Sequence, residues 1–206
     1  MEKGGRGDFK KPKVLISASA VGYYGPRADD IITEDSSPGS DFLAEVCKAW
    51  ETEALKIQES GVRVVIVRFG TVLESDGGAL PKMARPFKFF AGGPVGSGRQ
   101  WFSWIHRDDL TGIIKYALEN VAVSGPINTT APQPVINKEF SDALGKSLSR
   151  PSWLPVPGFV LKIAFGELGG VLLTGQRVIP KKITEAGYQF KYPDIDRALR
   201  AIFGKK

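Results

Sequence analysis

Residues 14–51 read VLISASAVGYYGPRADDIITEDSSPGSDFLAEVCKAWE, and the fold is decided here. A short apolar run, Val14-Leu15-Ile16, breaks into small hydroxyl and glycine residues. An acidic loop follows, and a helix opens near Ser40 or Asp41. The pattern is a strand running out into a loop, with a helix packing back. Ligands of open α/β sheets sit beyond the carboxyl ends of strands, which makes Ser17 to Gly25 the candidate site.

Downstream, Phe42, Val46, Trp50, Ala54 and Ile57 recur at steps of three and four and predict one apolar helix stripe. Ser60-Gly61 ends that helix. Val62 to Val67 (VRVVIV) reads as a fully buried strand closed by Arg68-Phe69-Gly70. Strand, crossover helix and strand make a βαβ unit, with parallel strands and a right-handed crossover. A turn at Glu74 to Gly78 leads to a helix over Leu80 to Phe90 with Pro86 inside it, then to a Gly92–Gly98 loop and an extended piece at Trp101 to Ile105. Asp108 or Asp109 is expected to cap a helix reaching Asn120, Pro126 to Thr130 to form a third strand, and Asn137 to cap a helix to Leu148. A helix near Phe159 to Leu173 and two short helices opening at Pro180 and Pro193 complete the chain.

The fold class is therefore α/β: a partial Rossmann-like parallel sheet over 14–150, preceded by a flexible basic tail at 1–13 and followed by a small helix-rich lobe at 151–206. A parallel sheet needs both faces covered and is small at two or three strands, so the first half of such a sheet is expected to be absent before Val14. The edge strand left open predicts poor solubility or partner pairing for the isolated chain.

Composition narrows the function classes. The chain has 206 residues, 42% hydrophobic and 24% charged, enough for one buried core. No apolar run approaches the ~20 residues that span a bilayer, and the first residues lack the apolar stretch of a secretory signal. One cysteine and one histidine argue against a disulfide and a zinc site. Net charge is +6, but residues 1–13 carry five Lys/Arg against Glu2 and Asp8. The remaining basic residues form no cluster, so nucleic acid is not expected as a partner.

Four segments carry a family resemblance: SASAVGYYG, RFGTVL, WFSWIHRDDL and GPINTTAP. In this order they resemble the C-terminal half of extended short-chain dehydrogenase/reductases, the Rossmann-fold family that includes sugar-nucleotide epimerases. CKAWE, FFAGGPVGSGRQWFSWIH and TGQRVIPKKITEAGYQF are similar to one branch, the atypical SDR39U1-like epimerase group, whose C-terminal lobe is DUF1731-like. The resemblance implies NAD(P) as cofactor, lying against Ser17, Ala18, Arg68, Phe69, Gly70 and Thr71. It implies Ser19 polarising a substrate oxygen, with Tyr24 and Cys47 as further catalytic candidates, and a substrate loop that includes Lys82, Trp101 and His106. It implies no metal. Its plant members imply a chloroplast setting, plastid division, and a protein partner or homodimer.

Two departures shape the functional expectation. The glycine-rich dinucleotide fingerprint has no counterpart, because Gly4-Gly5-Arg6-Gly7 lacks a strand before it and a helix after it. The family's Tyr-x-x-x-Lys is also absent, with Leu43 and Cys47 at those positions. Leucine carries no proton, and a thiol cannot serve as the cation that lowers a tyrosine pKa. Whether the chain is an enzyme is open. It reads either as an epimerase/dehydratase-like protein with little or no standard hydride transfer, or as a non-catalytic scaffold.

Single residues carry paired readings. Ser19 or Ser17 presents a substrate hydroxyl or caps a strand end. Tyr23 and Tyr24 supply a phenol or pack at a rim. Cys47 is a small core residue or a thiol beside the cofactor, and His106 organises its loop or moves a proton. Arg68 meets a phosphate or carboxylate ligand, or pairs with Asp108 or Asp109. Trp101 and Trp104 form a lid or enter the core.

Overall fold

The computed structural model describes residues 11–159 and 173–204. The β-branched run forms β1, Val14–Ala20, longer than its apolar part because Ser17 and Ser19 continue the ladder. Strand β2 is Ile31–Ile32 and helix α1 is Phe42–Leu55, capped by the Asp41 side chain accepting from Ala44 N at 2.8 Å. A 3₁₀ segment, Lys56–Ser60, ends at Gly61 in the left-handed region. Strand β3, Arg63–Phe69, is buried through its middle. Parallel pairing of β1 with β3 aligns Val14 with Arg63 and Ser19 with Arg68, as expected of a βαβ unit.

The chain continues through β4 (Thr71–Leu73), α2 (Leu80–Lys88), β5 (Trp101–Phe102), β6 (Trp104–His106), α3 (Arg107–Glu119) and β7 (Gly125–Thr129). Strand β7 joins β3 in parallel, giving the sheet order β1-β3-β7 with β1 at an edge. After β8 (Val135–Ile136) and α4 (Asn137–Leu148), the described chain resumes and forms β9 (Arg177–Val178), α5 (Lys181–Glu185) and α6 (Ile195–Phe203). The helix expected over 159–173 falls almost wholly outside the described residues.

Alternation on β3 sets the packing. Val65 and Val67 join Ile105, Ile113, Ala117, Ile127 and Ile183 in a core beneath α3, while α1 lies against β1 and β3. A second core ties α2, α4 and α6 together around Trp104 and Leu73.

Several expectations are corrected. The α1 stripe does not face inward: Phe42 is 79% and Trp50 58% exposed, and the buried face is Ala44, Cys47 and Glu51. Small residues let the helix approach the sheet closely, and Glu51 meets a buried cation there. His106, not an aspartate, caps α3, its Nδ1 accepting from Asp108 N at 3.0 Å. Asn137 is the first residue of α4 rather than its cap, and its Oδ1 accepts from Val95 N at 2.7 Å, pinning the glycine loop. Helix α6 opens at Ile195 behind an Asp194 cap, so Pro193 precedes the cap and does not lie in the first turn. Trp104 is fully buried, whereas Trp101 stays at the rim, its Nε1 donating to Asp29 Oδ1 at 2.8 Å and its ring stacked over Arg177.

Candidate functional site at the carboxyl ends of the parallel strands

Parallel register places Ser19, Arg68 and Asn128 in one row across β1, β3 and β7. All three are at most 3% exposed. Glu51 reaches the row from α1, and Tyr24 from the short 3₁₀ turn Val21–Tyr24 that follows β1. Ser19 Oγ donates to Glu51 Oε1 at 2.7 Å, and Arg68 grips both carboxylate oxygens, from Nε at 2.9 Å and Nη2 at 2.7 Å. Arg68 Nη1 donates to the Tyr24 hydroxyl at 2.8 Å, which donates to Asn128 Oδ1 at 2.7 Å. The guanidinium also lies 3.5 Å from the Tyr23 ring centroid.

This corrects the sequence expectation for Arg68, whose ion-pair partner is Glu51 and not Asp108 or Asp109. Nothing in the apolar pattern of this stretch links Glu51 to Arg68, 17 positions away. The signal the sequence does hold is a carboxylate one turn beyond Cys47 and two turns beyond Ala44, on the same face.

Electrostatics follow from burial. Desolvation pushes the Tyr24 phenol up to about 12, outweighing the neighbouring Arg68 charge. Desolvation opposes the Arg68 charge, but the Glu51 and Tyr24 contacts overcome it and raise its pKa. Tyr24 is fully buried and both its hydroxyl interactions are made within the protein. In this arrangement it holds the turn to β3 and β7. Ser19 likewise spends its hydroxyl hydrogen on Glu51.

The other residues singled out from the sequence lie on several elements, and Lys82 and His106 make no contact with this row. Cys47 is buried on the sheet-facing side of α1. Ser17 and Phe69 are half-buried and Ala18 is exposed on the open edge strand. Gly70 is required by close approach, since a Cβ there would stand 2.9 Å from Ser103 O. Thr71 N donates to that same carbonyl at 2.8 Å, so the end of β3 is bound to the β5–β6 segment. Lys82 is exposed on α2. His106 stacks on Tyr192 at 3.9 Å between ring centroids, and burial lowers its pKa.

The C-terminal segment closes one side of the corner, and the sequence alone does not signal it. Strand β9 pairs in parallel with β2. Ser103 Oγ donates to Gln176 O and accepts from Val178 N, Thr130 Oγ1 donates to Val178 O, and Asn128 Nδ2 donates to Ile179 O at 3.0 Å. Buried Glu34 accepts from the backbone N–H groups of Asn128 and Lys182. Asp109 binds the next stretch through Lys191 N and Tyr192 N, both at 2.8 Å.

A dinucleotide needs a flat surface for its ring and free N–H groups for its phosphates. The ends of β1 and β3 provide the first. For the second, Asp41 occupies the N-terminus of α1 and His106 that of α3, while α2 opens without a side-chain cap after Gly77-Gly78. The ring side fits, and the N-termini of α1 and α3 are closed to the pyrophosphate by their own caps. Among the described residues no group of three or more His, Cys, Asp or Glu could hold a metal ion. No helix among them is long and apolar enough to cross a membrane.

Comparison with known proteins matches this architecture. The chain is 54% identical over 192 residues to the chloroplastic SDR39U1 homolog of Arabidopsis thaliana, covering 93% of this chain and 55% of that protein. It is 46% identical over 198 residues to the epimerase family protein YfhF of Bacillus subtilis, covering 96% of this chain and 65% of that one. Human SDR39U1, solved with NADPH, superposes with a TM-score of 0.89 at 39% identity, over 93% of this chain and 65% of the human one.

The chain belongs to the SDR39U1 epimerase family. It spans roughly half to two-thirds of the length of these relatives. A domain of unknown function, DUF1731, matches residues 156–202, which include the segment gripped by Ser103, Thr130 and Asn128. Thermus thermophilus UDP-glucose 4-epimerase, in complex with NAD, shares the fold with a TM-score of 0.69 at 15% identity.

Proposed function

We propose that the chain is the substrate-side part of an NAD(P)-binding epimerase/dehydratase-like protein that lacks the usual Tyr–Lys proton relay. The observation that supports this reading is the likeness of the whole chain to human SDR39U1, solved with NADPH, together with strand ends of β1 and β3 bound to the β5–β6 segment. The nicotinamide ring lies against Ser17, Ala18, Phe69, Gly70 and Thr71. Arg68 supports that surface from below through Glu51. Lys82, Trp101 and His106 belong to the substrate side. Ser19 and Tyr24 act as positioning groups, since their hydroxyls are spent within the protein.

Thermal unfolding of the chain with millimolar NADPH or NADH tests this. A ligand that binds only the folded state stabilises by RT ln(1 + [L]/Kd), about 2.7 kcal/mol at 100-fold excess over Kd. A shift with one cofactor is expected, and no shift with either would remove the reading.

A non-catalytic interaction role is favoured by a different observation. Leu43 carries no titratable group and Cys47 is a buried thiol, so the two positions supply neither the phenol nor the cation of the usual relay. In that case the setting is the plastid, supported by the chloroplastic Arabidopsis relative, with division as the process and a protein partner or homodimer as the contact. Cofactor consumption by the native protein would defeat this second reading.

A further inference from the structure

We propose that Ser37 is a phosphorylation site and that Arg27 receives the phosphate. Ser37 is exposed in the irregular stretch 37–40 between β2 and α1, with Pro38 following and Glu34-Asp35 upstream. Exposed loop segments of this kind are where modifying enzymes gain access to a chain. Proline at the next position brings no N–H to be satisfied, which suits the proline-directed class of protein kinases.

The receptor is already in place. Arg27 Nη2 donates to Ser37 Oγ and to Ser37 O, each at 2.9 Å, and Arg27 Nε donates to Tyr24 O at 3.3 Å. The guanidinium is thus anchored to the turn after β1 while touching the acceptor oxygen. Ser37 Oγ accepts in that contact, so its own hydrogen is available for transfer. Beside the pair lies an open groove of about 340 Å³ lined by Arg27, Asp30, Ile31, Ile32, Ser36 and Ser37, with space for a phosphoryl group. The neighbouring hydroxyl of Ser36 is turned to Thr33 N at 3.1 Å and meets no cation. Asp30 repels a phosphate in the groove, but Arg27 is already in bonding contact with the modified oxygen.

In the transfer step the kinase supplies ATP. The Ser37 Oγ–P bond forms, the bond from the γ-phosphorus to the bridging oxygen of ADP breaks, the hydroxyl proton passes to the kinase's base, and ADP leaves. The product carries about −1.5 to −2 charge and three acceptor oxygens, which a guanidinium fork binds in charge-assisted pairs. The effect is local stiffening. Gly39 already packs on the turn, where a Cβ would come within 2.7 Å of Gly25, and Asp41 caps α1 two residues later. Phosphorylation would pin this crossing between β1 and α1 at the edge of the site.

The test treats the full chain with a proline-directed serine/threonine kinase and ATP, maps the phosphate by mass spectrometry, and uses Ser37→Ala as control. One phosphate on Ser37, missing in the control, is expected. The phosphorylated chain should melt about 2–4 °C higher than the unmodified one. Arg27→Gln should still accept phosphate but show no rise, and Arg27→Lys should show a smaller rise. Equal labelling of Ser37→Ala and wild type, no labelling, or a rise that survives Arg27→Gln would overturn the proposal.

Discussion

Replacing Glu51 with alanine removes one side chain and strands two others. Arg68, with its side chain 3% exposed, would keep a guanidinium in the interior without its carboxylate, and Ser19 would lose its acceptor. Breaking a buried pair from one side costs roughly 3–5 kcal/mol, because the remaining charge stays desolvated. The Tyr24 hydroxyl and the Tyr23 ring remain near Arg68 and recover part of this, so about 3 kcal/mol is the expected loss. For a chain of this size that corresponds to a Tm lowered by about 6–12 °C. Urea and thermal unfolding of Glu51→Ala, Arg68→Met and Glu51→Leu/Arg68→Met make the assay. The double variant should recover much of the loss, since an apolar pair of similar volume leaves no unpaired charge. A loss under about 1 kcal/mol for Glu51→Ala, typical of an exposed pair, would refute the claim that this contact is a buried anchor.

Other predictions are independent of that pair. Glu34 has its pKa raised by desolvation, so its contribution to stability is full below its unfolded value of about 4.5 and is lost as pH rises through the folded value. Glu34→Gln should flatten that slope in unfolding followed against pH. His106 has a lowered pKa, chiefly from burial, so its contribution is full above its unfolded value of about 6.5 and is lost as pH falls through the folded one. His106→Asn, which keeps a capping acceptor for Asp108 N, should remove this acid-side loss, while His106→Ala lowers stability by about 0.5–2 kcal/mol above the unfolded value, a difference that shrinks as pH falls. Gly39→Ala should destabilise by about 1–3 kcal/mol in denaturant titration, because its Cβ would meet Gly25 backbone at 2.7 Å.

The strand-loop-helix opening was legible because hydrophobic periodicity and turn residues are local signals, and β1, α1 and β3 follow them. Their carboxyl-end corner followed from the same logic. The polar row was not legible, because it joins residues far apart in sequence: Ser19 with Glu51, and Tyr24 with Asn128 across 104 positions. The inward face of α1 departs from its apolar periodicity, because the largest apolar residues are not the ones it buries. Close helix–sheet approach selects Ala44 and Cys47 instead, leaving Phe42 and Trp50 outside. His106 was missed as a cap because Asp108 and Asp109 follow it and aspartate is the more frequent capping residue. Asp109 serves the C-terminal stretch instead, bonding Lys191 N and Tyr192 N. The grip on residues 176–182 depends on side chains from three separate segments, around Glu34, Ser103 and Asn128-Thr130, and leaves no local pattern.

Amide hydrogen exchange of the chain, with and without saturating NADPH, tests the proposed cofactor surface most directly. Protection confined to the ends of β1 and β3, residues 17–24 and 68–71, is the predicted result. Exchange unchanged there under millimolar NADPH, or protection appearing only elsewhere, would contradict it.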